Sequence, residues 1–431
     1  MAKTLTFLHT ADLHLGAPFR GFRALSKAWA QRLLSAIPEA YDRVIATAIA
    51  RKVDFVVIAG DVFDGSHSSY GDYRHFFEGL EKLRAAGISA YLCTGNHDPY
   101  TTWQNDLFSL PDNAAMLPAS KPGFRLFRRN GQPLCLIAGR GFYNQAWPTD
   151  ADISEGITRA AAERELMGEF PDAPQAPFCV GVMHTGFDID LQKAPTSPAG
   201  LMNRGVDYWA LGHLHKRLAY PSARDPKAAF SGCIQGRDIK ETGERGCYVV
   251  TLEEGAPTRL EFVPTASVVW EKISVDVSTC ATVSEVHDLI MRALFRANGK
   301  AHCEEMCVRV TLTGSTSLHD VLSRPGVLED VRNHINDSYS AFFCDALIDE
   351  TRRPIDRAML QAEGLFPAAL METARQQRSN VADEVAYLQE EFLRKGLVLP
   401  SACVREVDDL ADTAETLVLD LLQGEAASHE R

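Results

Sequence analysis

The feature that most constrains this chain is a series of short apolar runs, each followed at once by carboxylate, asparagine or histidine side chains. The run at residues 5–8 leads to Asp12-Leu13-His14, and Phe55-Val56-Val57-Ile58 leads to Gly60-Asp61-Val62-Phe63-Asp64. Ala90-Tyr91-Leu92-Cys93 leads to Gly95-Asn96-His97-Asp98. Farther on, residues 178–183 end at His184, and residues 208–211 end at Gly212-His213-Leu214-His215. Short, continuous apolar runs bounded by glycine and polar residues read as buried strands. Between the first two, Tyr41, Val44, Ile45, Ala48 and Ile49 recur at helical spacing, with Pro38 read as opening that helix. Strand alternating with helix implies an α/β sheet with parallel strands. Ligands in such sheets sit beyond the carboxyl ends of strands, so one cleft can collect all five groups.

The donors are oxygen and imidazole, without thiolates. That inventory suits manganese, iron or zinc in a hydrolytic site better than a closed structural zinc site. There are enough donors for two metals. Two cations about 3.5–4 Å apart can generate hydroxide near neutral pH and stabilise both oxygens of a phosphoryl displacement. Gly60, Gly95 and Gly212 would let the backbone approach the metals closely.

Further strand-like runs lie at 134–138, 247–252 and 260–263. From Trp270 the alternation restarts, with strands at 273–275 and 307–312 and helices near 283–297 and 321–335. Beyond Pro354 apolar residues recur at helical spacing among many charged ones, and Gly364, Pro367, Gly396 and Pro400 divide that stretch. The expected division is a catalytic domain over 1–265, a small α/β domain over 266–350 and a helical region over 351–431.

A net charge of −13 argues at first against a polyanionic partner, but it is unevenly distributed. Residues 1–265 hold 28 basic and 29 acidic side chains, whereas residues 266–431 hold 16 and 28. Two divalent cations would make the near-neutral first part electropositive at its site. The ten cysteines show no CxxC pairing; His302-Cys303 with Cys307 is the nearest approach to a zinc pattern and lacks four ligands. Reduced thiols are expected. With no long apolar stretch and no charged leader before the first strand, the expectation is a cytoplasmic protein without a membrane segment.

In this order the residues resemble the calcineurin-like metallophosphoesterases, whose pattern is Asp-x-His, Gly-Asp-x-x-Asp, Gly-Asn-His-Asp or -Glu, a lone His and Gly-His-x-His. The resemblance covers residues 4–265 and implies an αββα sandwich. It also implies that Asp12, His14 and His215 hold one metal, that Asn96, His184 and His213 hold the other, and that Asp61 bridges them. Manganese is the leading expectation, with iron or zinc as alternatives. His97 matches the histidine that contacts phosphate and assists leaving-group departure, while Asp64 and Asp98 would orient ligands or His97.

Within that superfamily, Thr10-Ala11-Asp12-Leu13-His14-Leu15-Gly16 looks like the SbcD-type DNA repair exonucleases. The stretch 231–247, Ser-Gly-Cys-Ile-Gln-Gly-Arg through Glu241 to Cys247, is similar to their YhaO branch. Protein phosphatases typically carry Arg-Gly after the second Asp; here Gly65-Ser66 stands in its place. The resemblance implies DNA as substrate, a small capping domain, a homodimer and a C-terminal helical segment docking on an SMC-like ATPase. Two alternatives remain: a phosphatase or phosphodiesterase acting on a protein, nucleotide or small molecule, and a non-catalytic DNA-binding subunit. Lys216, Arg217 and Arg237 are candidate substrate contacts, with Lys240 and the Arg128-Arg129 pair behind them. Tyr387, Leu388, Phe392 and Leu393 are read as either helical core or partner surface. His9, His67, His75, His287, His302, His319, His334 and His429 have no motif context and are read as ordinary core or surface residues.

Overall fold

A computed structural model of the chain describes residues 2–19, 26–104, 108–303, 305–364, 366–379, 381–400 and 414–419. Six strands form the first sheet: β1 (Thr4–Thr10), β2 (Phe55–Ala59), β3 (Ser89–Cys93), β4 (Ala114–Met116), β11 (Gly246–Glu253) and β12 (Arg259–Pro264). Their order is β12-β11-β1-β2-β3-β4, with β1 to β4 parallel and the other two antiparallel. The second sheet contains β5 (Gly123–Arg129), β6 (Gln132–Arg140), β7 (Phe178–His184), β8 (Tyr208–Gly212), β9 (Leu218–Tyr220) and β10 (Ala228–Phe230). Its order is β5-β6-β7-β8-β10-β9, parallel from β6 to β10 and antiparallel at both edges.

Strands β2, β7 and β8 are buried at every residue, which is why they read as unbroken apolar runs rather than as alternation. Successive side chains nevertheless point to opposite faces. Phe7, Phe55, Val57 and Tyr91 of the first sheet meet Ile137, Val180 and Tyr208 of the second in one core. Leu8, Val56, Ile58 and Leu92 face away, against Tyr41 and Val44 of α1 (Lys27–Ala50) and Phe76 and Leu80 of α2 (Tyr70–Ala85). On the far side, Leu136, Cys179 and Trp209 pack against Ala162 and Leu166 of α3 (Arg159–Met167) and Leu201 of α4 (Pro198–Met202). The layers are therefore α, β, β, α, as the resemblance implied.

Pro38 does not open the first helix; it lies inside it. An interior proline costs about 3 kcal/mol relative to alanine. Against that, Leu33, Ile37, Tyr41, Val44 and Ile45 are all buried, and each contributes roughly 1.5–3 kcal/mol. Burial of one face on both sides of the proline outweighs the lost hydrogen bond.

Three further strands, β13 (Val268–Asp276), β14 (Glu305–Ser315) and β15 (Phe342–Arg352), pair in that order. Helix α5 (Val283–Asn298) follows β13. The single helix expected near 321–335 is two, α6 (His319–Leu322) and α7 (Val327–Ser338), interrupted at Pro325-Gly326, where Gly326 has φ +89°. The C-terminal region supplies α8 (Arg357–Glu363), α9 (Phe366–Ser379) and α10 (Val381–Arg394). The rest of the helical expectation, at 401–413 and beyond 419, lies outside the described residues. Contacts divide the chain into two units: residues 1–272 with 295–309 and 339–345, and residues 273–294 with 310–338 and 346–431. Among the described residues, no helix is long and apolar enough to cross a membrane, and nine cysteines are free thiols.

Candidate metal centre

Five strand ends deliver the candidate side chains to one place in the first unit. Asp12 and His14 follow β1, Asp61 and Asp64 follow β2, and Asn96, His97 and Asp98 follow β3. His184 is the last residue of β7, and Gly212 ends β8 just before His213 and His215. Asp61 sits in the middle, with Oδ2 3.8 Å from His14 Nε2 and 3.4 Å from His184 Nε2. On one side, ligand atoms of Asp12, His14 and His215 lie within 4.8 Å of one another. On the other, Asn96 Oδ1 is 3.0 Å from His184 Nε2 and 3.2 Å from His213 Nδ1.

The backbone is strained at these residues. Asp12, His14 and Asp61 have φ of 51°, 49° and 51°, a region that costs a non-glycine residue about 1–3 kcal/mol. Asp12 and His14 donate backbone N–H bonds to the carbonyls of Gly60 and Asp61, lacing the first two strand ends together. Asp98 braces the second and third. Its Oδ1 accepts from Gly95 N–H (2.7 Å) and Asp61 N–H (3.1 Å), and its Oδ2 accepts from Val62 N–H (2.9 Å). Its hydrogen bonds from this loop thus come from backbone, and the His97 ring pairs instead with Asp64, Nδ1 to Oδ1 at 3.1 Å. Glycine is required where loops touch: a Cβ on Gly95 would stand 2.1 Å from Asp61 Oδ1.

The four ligand-type histidines share one arrangement. His14 Nδ1 faces Asp64 Oδ1 at 3.2 Å, and His184 Nδ1 faces the Ala59 carbonyl at 3.0 Å. His213 Nε2 faces Asp190 Oδ2 at 3.2 Å, and His215 Nδ1 faces Glu241 Oε1 at 2.5 Å. Each outer nitrogen meets an acceptor and therefore donates its N–H. At His215 the close Glu241 contact decides this over Arg237 Nη2, which is 3.3 Å from the same nitrogen. A neutral ring then keeps its lone pair on the inner nitrogen. His14 Nε2 and His215 Nε2 face each other at 3.0 Å, and Asn96 Oδ1 faces the inner nitrogens of His184 and His213. Facing lone pairs repel unless a cation or proton lies between them. Outer-nitrogen donation to carboxylate or carbonyl is also how metal-binding histidines are oriented.

The electrostatics agree. Asp12, His14, Asp61 and His184 are no more than 1% exposed. Burial pushes Asp12 up from the usual carboxylate range, the sign of a charge the protein leaves undercompensated. Burial pushes His14 and His213 down to about 4, so both are neutral, the form that binds metal. His184 differs: burial opposes its charge, but Asp61 outweighs burial and holds it up at about 9. A proton there supplies positive charge that a bound cation would replace.

Arg237 reaches this cluster, with Nη1 3.6 Å from Asp64 Oδ1 and Nη2 3.6 Å from Glu241 Oε1. Lys216 and Arg217 do not; they are exposed beside it and line an adjoining cavity. Arg128 and Arg129 are paired with Asp172 and Asp54. His9 is a core residue: burial holds it down at about 3, and its ring contacts Tyr208 Oη at 2.9 Å. Two residues at the site escaped sequence reasoning. Asp190 stands in no motif, and Glu241 lies in the 231–247 stretch with nothing to show that it meets His215. Cys233 lies beside both His215 and Glu241, but burial pushes its thiol up, so it stays neutral and a poor ligand.

A family model described as calcineurin-like phosphoesterase matches residues 5–217, and the middle domain of metallophosphoesterase YhaO matches residues 270–352. The chain is 31% identical over 318 residues to a protein of Bacillus subtilis strain 168 named uncharacterized metallophosphoesterase YhaO, covering 73% of each. This chain belongs to the calcineurin-like phosphoesterases. Two further relatives match at lower identity. A DNA double-strand break repair protein Mre11 of Aeropyrum pernix is 27% identical over 305 residues, 69% of this chain and 70% of that one. A component of the nuclease SbcCD of Escherichia coli K12 is 26% identical over 241 residues, 49% of this chain and 56% of its own length. Membership makes this protein a phosphoesterase hydrolase, and the calcineurin-like fold implies a dinuclear divalent site, for which the facing donors around Asp61 are suited.

Proposed function

We propose that this phosphoesterase is a DNA repair exonuclease that hydrolyses phosphodiester bonds with two divalent cations, manganese first among them. The observation that carries the reading is the set of inward-facing ring nitrogens of His14, His184, His213 and His215 around Asp61, of which His184 carries a proton where a cation would sit. Asp12, His14 and His215 would hold one cation, Asn96, His184 and His213 the other, and Asp61 both. When bound, the cations supply Lewis acidity, neutralising phosphate charge and easing deprotonation of water near neutral pH. The protein's own residues do the rest. Asp64 accepts from His97 Nδ1 and raises its basicity, so the half-exposed ring keeps a proton on Nε2 to give to the leaving oxygen. Arg237, beside Asp64, adds a fixed positive charge for the phosphate. Asp98, bonded to the backbone N–H groups of Asp61, Val62 and Gly95, keeps the loop carrying Asn96 and His97 against Asp61.

DNA as substrate is supported by two relatives, the DNA double-strand break repair protein of Aeropyrum pernix and the nuclease component of Escherichia coli. The same resemblance supports a small domain over 266–350 and a helical region over 351–431 that docks on an SMC-like ATPase. In α10, Tyr387 and Leu393 are exposed to 57% and 66%, which suits a partner surface. A homodimer and a reducing, cytoplasmic setting belong to the same proposal, the latter in keeping with the free thiols.

The test is manganese-dependent cleavage of end-labelled linear double- and single-stranded DNA by wild type, His97→Ala and Asp61→Ala, with a nucleotide monoester and a phosphopeptide alongside. Loss of DNA cleavage in both variants supports the reading. Intact DNA with a hydrolysed monoester replaces it with a phosphatase, and DNA binding without turnover of any ester replaces it with a non-catalytic subunit.

A further inference from the structure

Beside His215 the first unit has a cavity of about 450 Å³, lined by Lys216, Arg217, Lys240, Arg245 and Tyr248 around the His215–Glu241 pair. Its charge is lopsided. Among the described residues, Lys216, Arg217 and Lys240 have no carboxylate within ion-pair distance. Arg217 lies over the Phe262 ring, its guanidinium carbon 3.6 Å from the centroid. Arg245 is 8% exposed, yet its donors go to the backbone carbonyls of His215, Glu241 and Thr242 rather than to an acid. The two acids on the cavity wall are engaged elsewhere, Glu241 with His215 and Arg237 and Glu244 with His302. A buried guanidinium without a counter-ion is costly unless an anion approaches it. Four cations thus line an opening whose two acids are paired with other residues.

The location is equally specific. Lys216 follows His215 and Lys240 precedes Glu241, so both lysines are chain neighbours of the pair that holds one edge of the metal centre. Arg245 pins the wall by bonding the His215 carbonyl, which also accepts from Cys233 N–H at 3.3 Å. An anion here would lie next to an ester at the metals without competing for them. The volume falls at the small end of ordinary ligand pockets, about 300–1,000 Å³, and suits one nucleotide unit rather than a protein segment. Tyr248 offers an aromatic surface on the same wall.

We propose that this cavity is a subsite for the nucleotide next to the scissile linkage, its phosphodiester held by Lys216, Lys240 and Arg217. This deepens the nuclease reading and rests on it. The subsite makes the enzyme prefer a polymeric phosphodiester to an isolated one, because only a polymer presents a second phosphate to the cavity.

The test compares wild type with Lys216→Ala/Lys240→Ala on two substrates, an end-labelled oligodeoxynucleotide and bis(p-nitrophenyl) phosphate, across a range of salt concentrations. In the variant the ratio of kcat/KM for the oligonucleotide to that for the small diester falls by about 10-fold or more, carried by KM. The slope of log(kcat/KM) against log salt for the oligonucleotide falls by roughly 1.4, the single-strand value for two lost phosphate contacts. An unchanged ratio and slope, in an enzyme that cleaves DNA, overturn the subsite and leave the nuclease reading intact. Wild-type enzyme that hydrolyses the small diester but no DNA overturns the nuclease reading, and the subsite with it.

Discussion

Removing the Glu241 carboxylate tests the proposed metal centre without touching a ligand. Glu241 Oε1 accepts from His215 Nδ1 at 2.5 Å and Oε2 accepts from Arg237 N–H at 2.7 Å. Its side chain is 14% exposed, so solvent screens these contacts little. Burial alone would raise its pKa, but the His215 hydrogen bond, together with the charges of His215 and Arg237 and the Arg237 N–H, outweighs burial and holds the carboxyl down at about 2. A hydrogen bond to a charged group is worth about 1.5–3 kcal/mol. At 1.4 kcal/mol per decade that is roughly 10- to 100-fold, the range by which loss of an orienting partner weakens metal affinity. Glu241→Ala should therefore weaken one of two manganese-binding steps by 10- to 100-fold and leave the other within about 3-fold. Glu241→Gln, which keeps an acceptor without the charge, should fall between. Calorimetric titration of metal-free protein reads both steps, and far-ultraviolet circular dichroism shows whether the fold survives. Two unchanged steps in a folded Glu241→Ala protein would refute the orienting role and the tautomer assigned to His215.

His97→Ala should lower kcat by about 10²–10⁴ with manganese affinity unchanged, because the ring is placed to move a proton rather than to bind metal; steady-state kinetics beside the calorimetry separates the two. Gly95→Ala should abolish tight manganese binding and lower the melting temperature, since the added carbon would displace the Asp61 carboxylate 2.1 Å away; a scan with and without metal would detect an unaffected protein. Manganese at 100 times its dissociation constant should stabilise the metal-free fold by about 2.7 kcal/mol, and chelator should reverse it. Equal urea midpoints in the two conditions would count against a metal site in the native state.

How much was legible depended on how local the signal was. The central strands declare themselves because both faces are buried, so every residue is apolar, as in Phe55–Ala59. Short strands such as Ala114–Met116 and Ala228–Phe230 have too few residues to form a pattern. Pro38 misled because helix interruption is a local rule, and the burial that overrides it comes from another layer.

The sequence by itself determined the residue types and the order of the strand ends. A buried parallel strand must end where the chain turns, and polar groups placed there share one side of the sheet. Only the tertiary structure decided which nitrogen of each histidine faces inward. That depends on Asp64, Ala59, Asp190 and Glu241, and all but Asp190 are more than 25 residues from the ring they orient. Hydrogen-bond partners are chosen by distance in space, and the packing of the two sheets sets those distances.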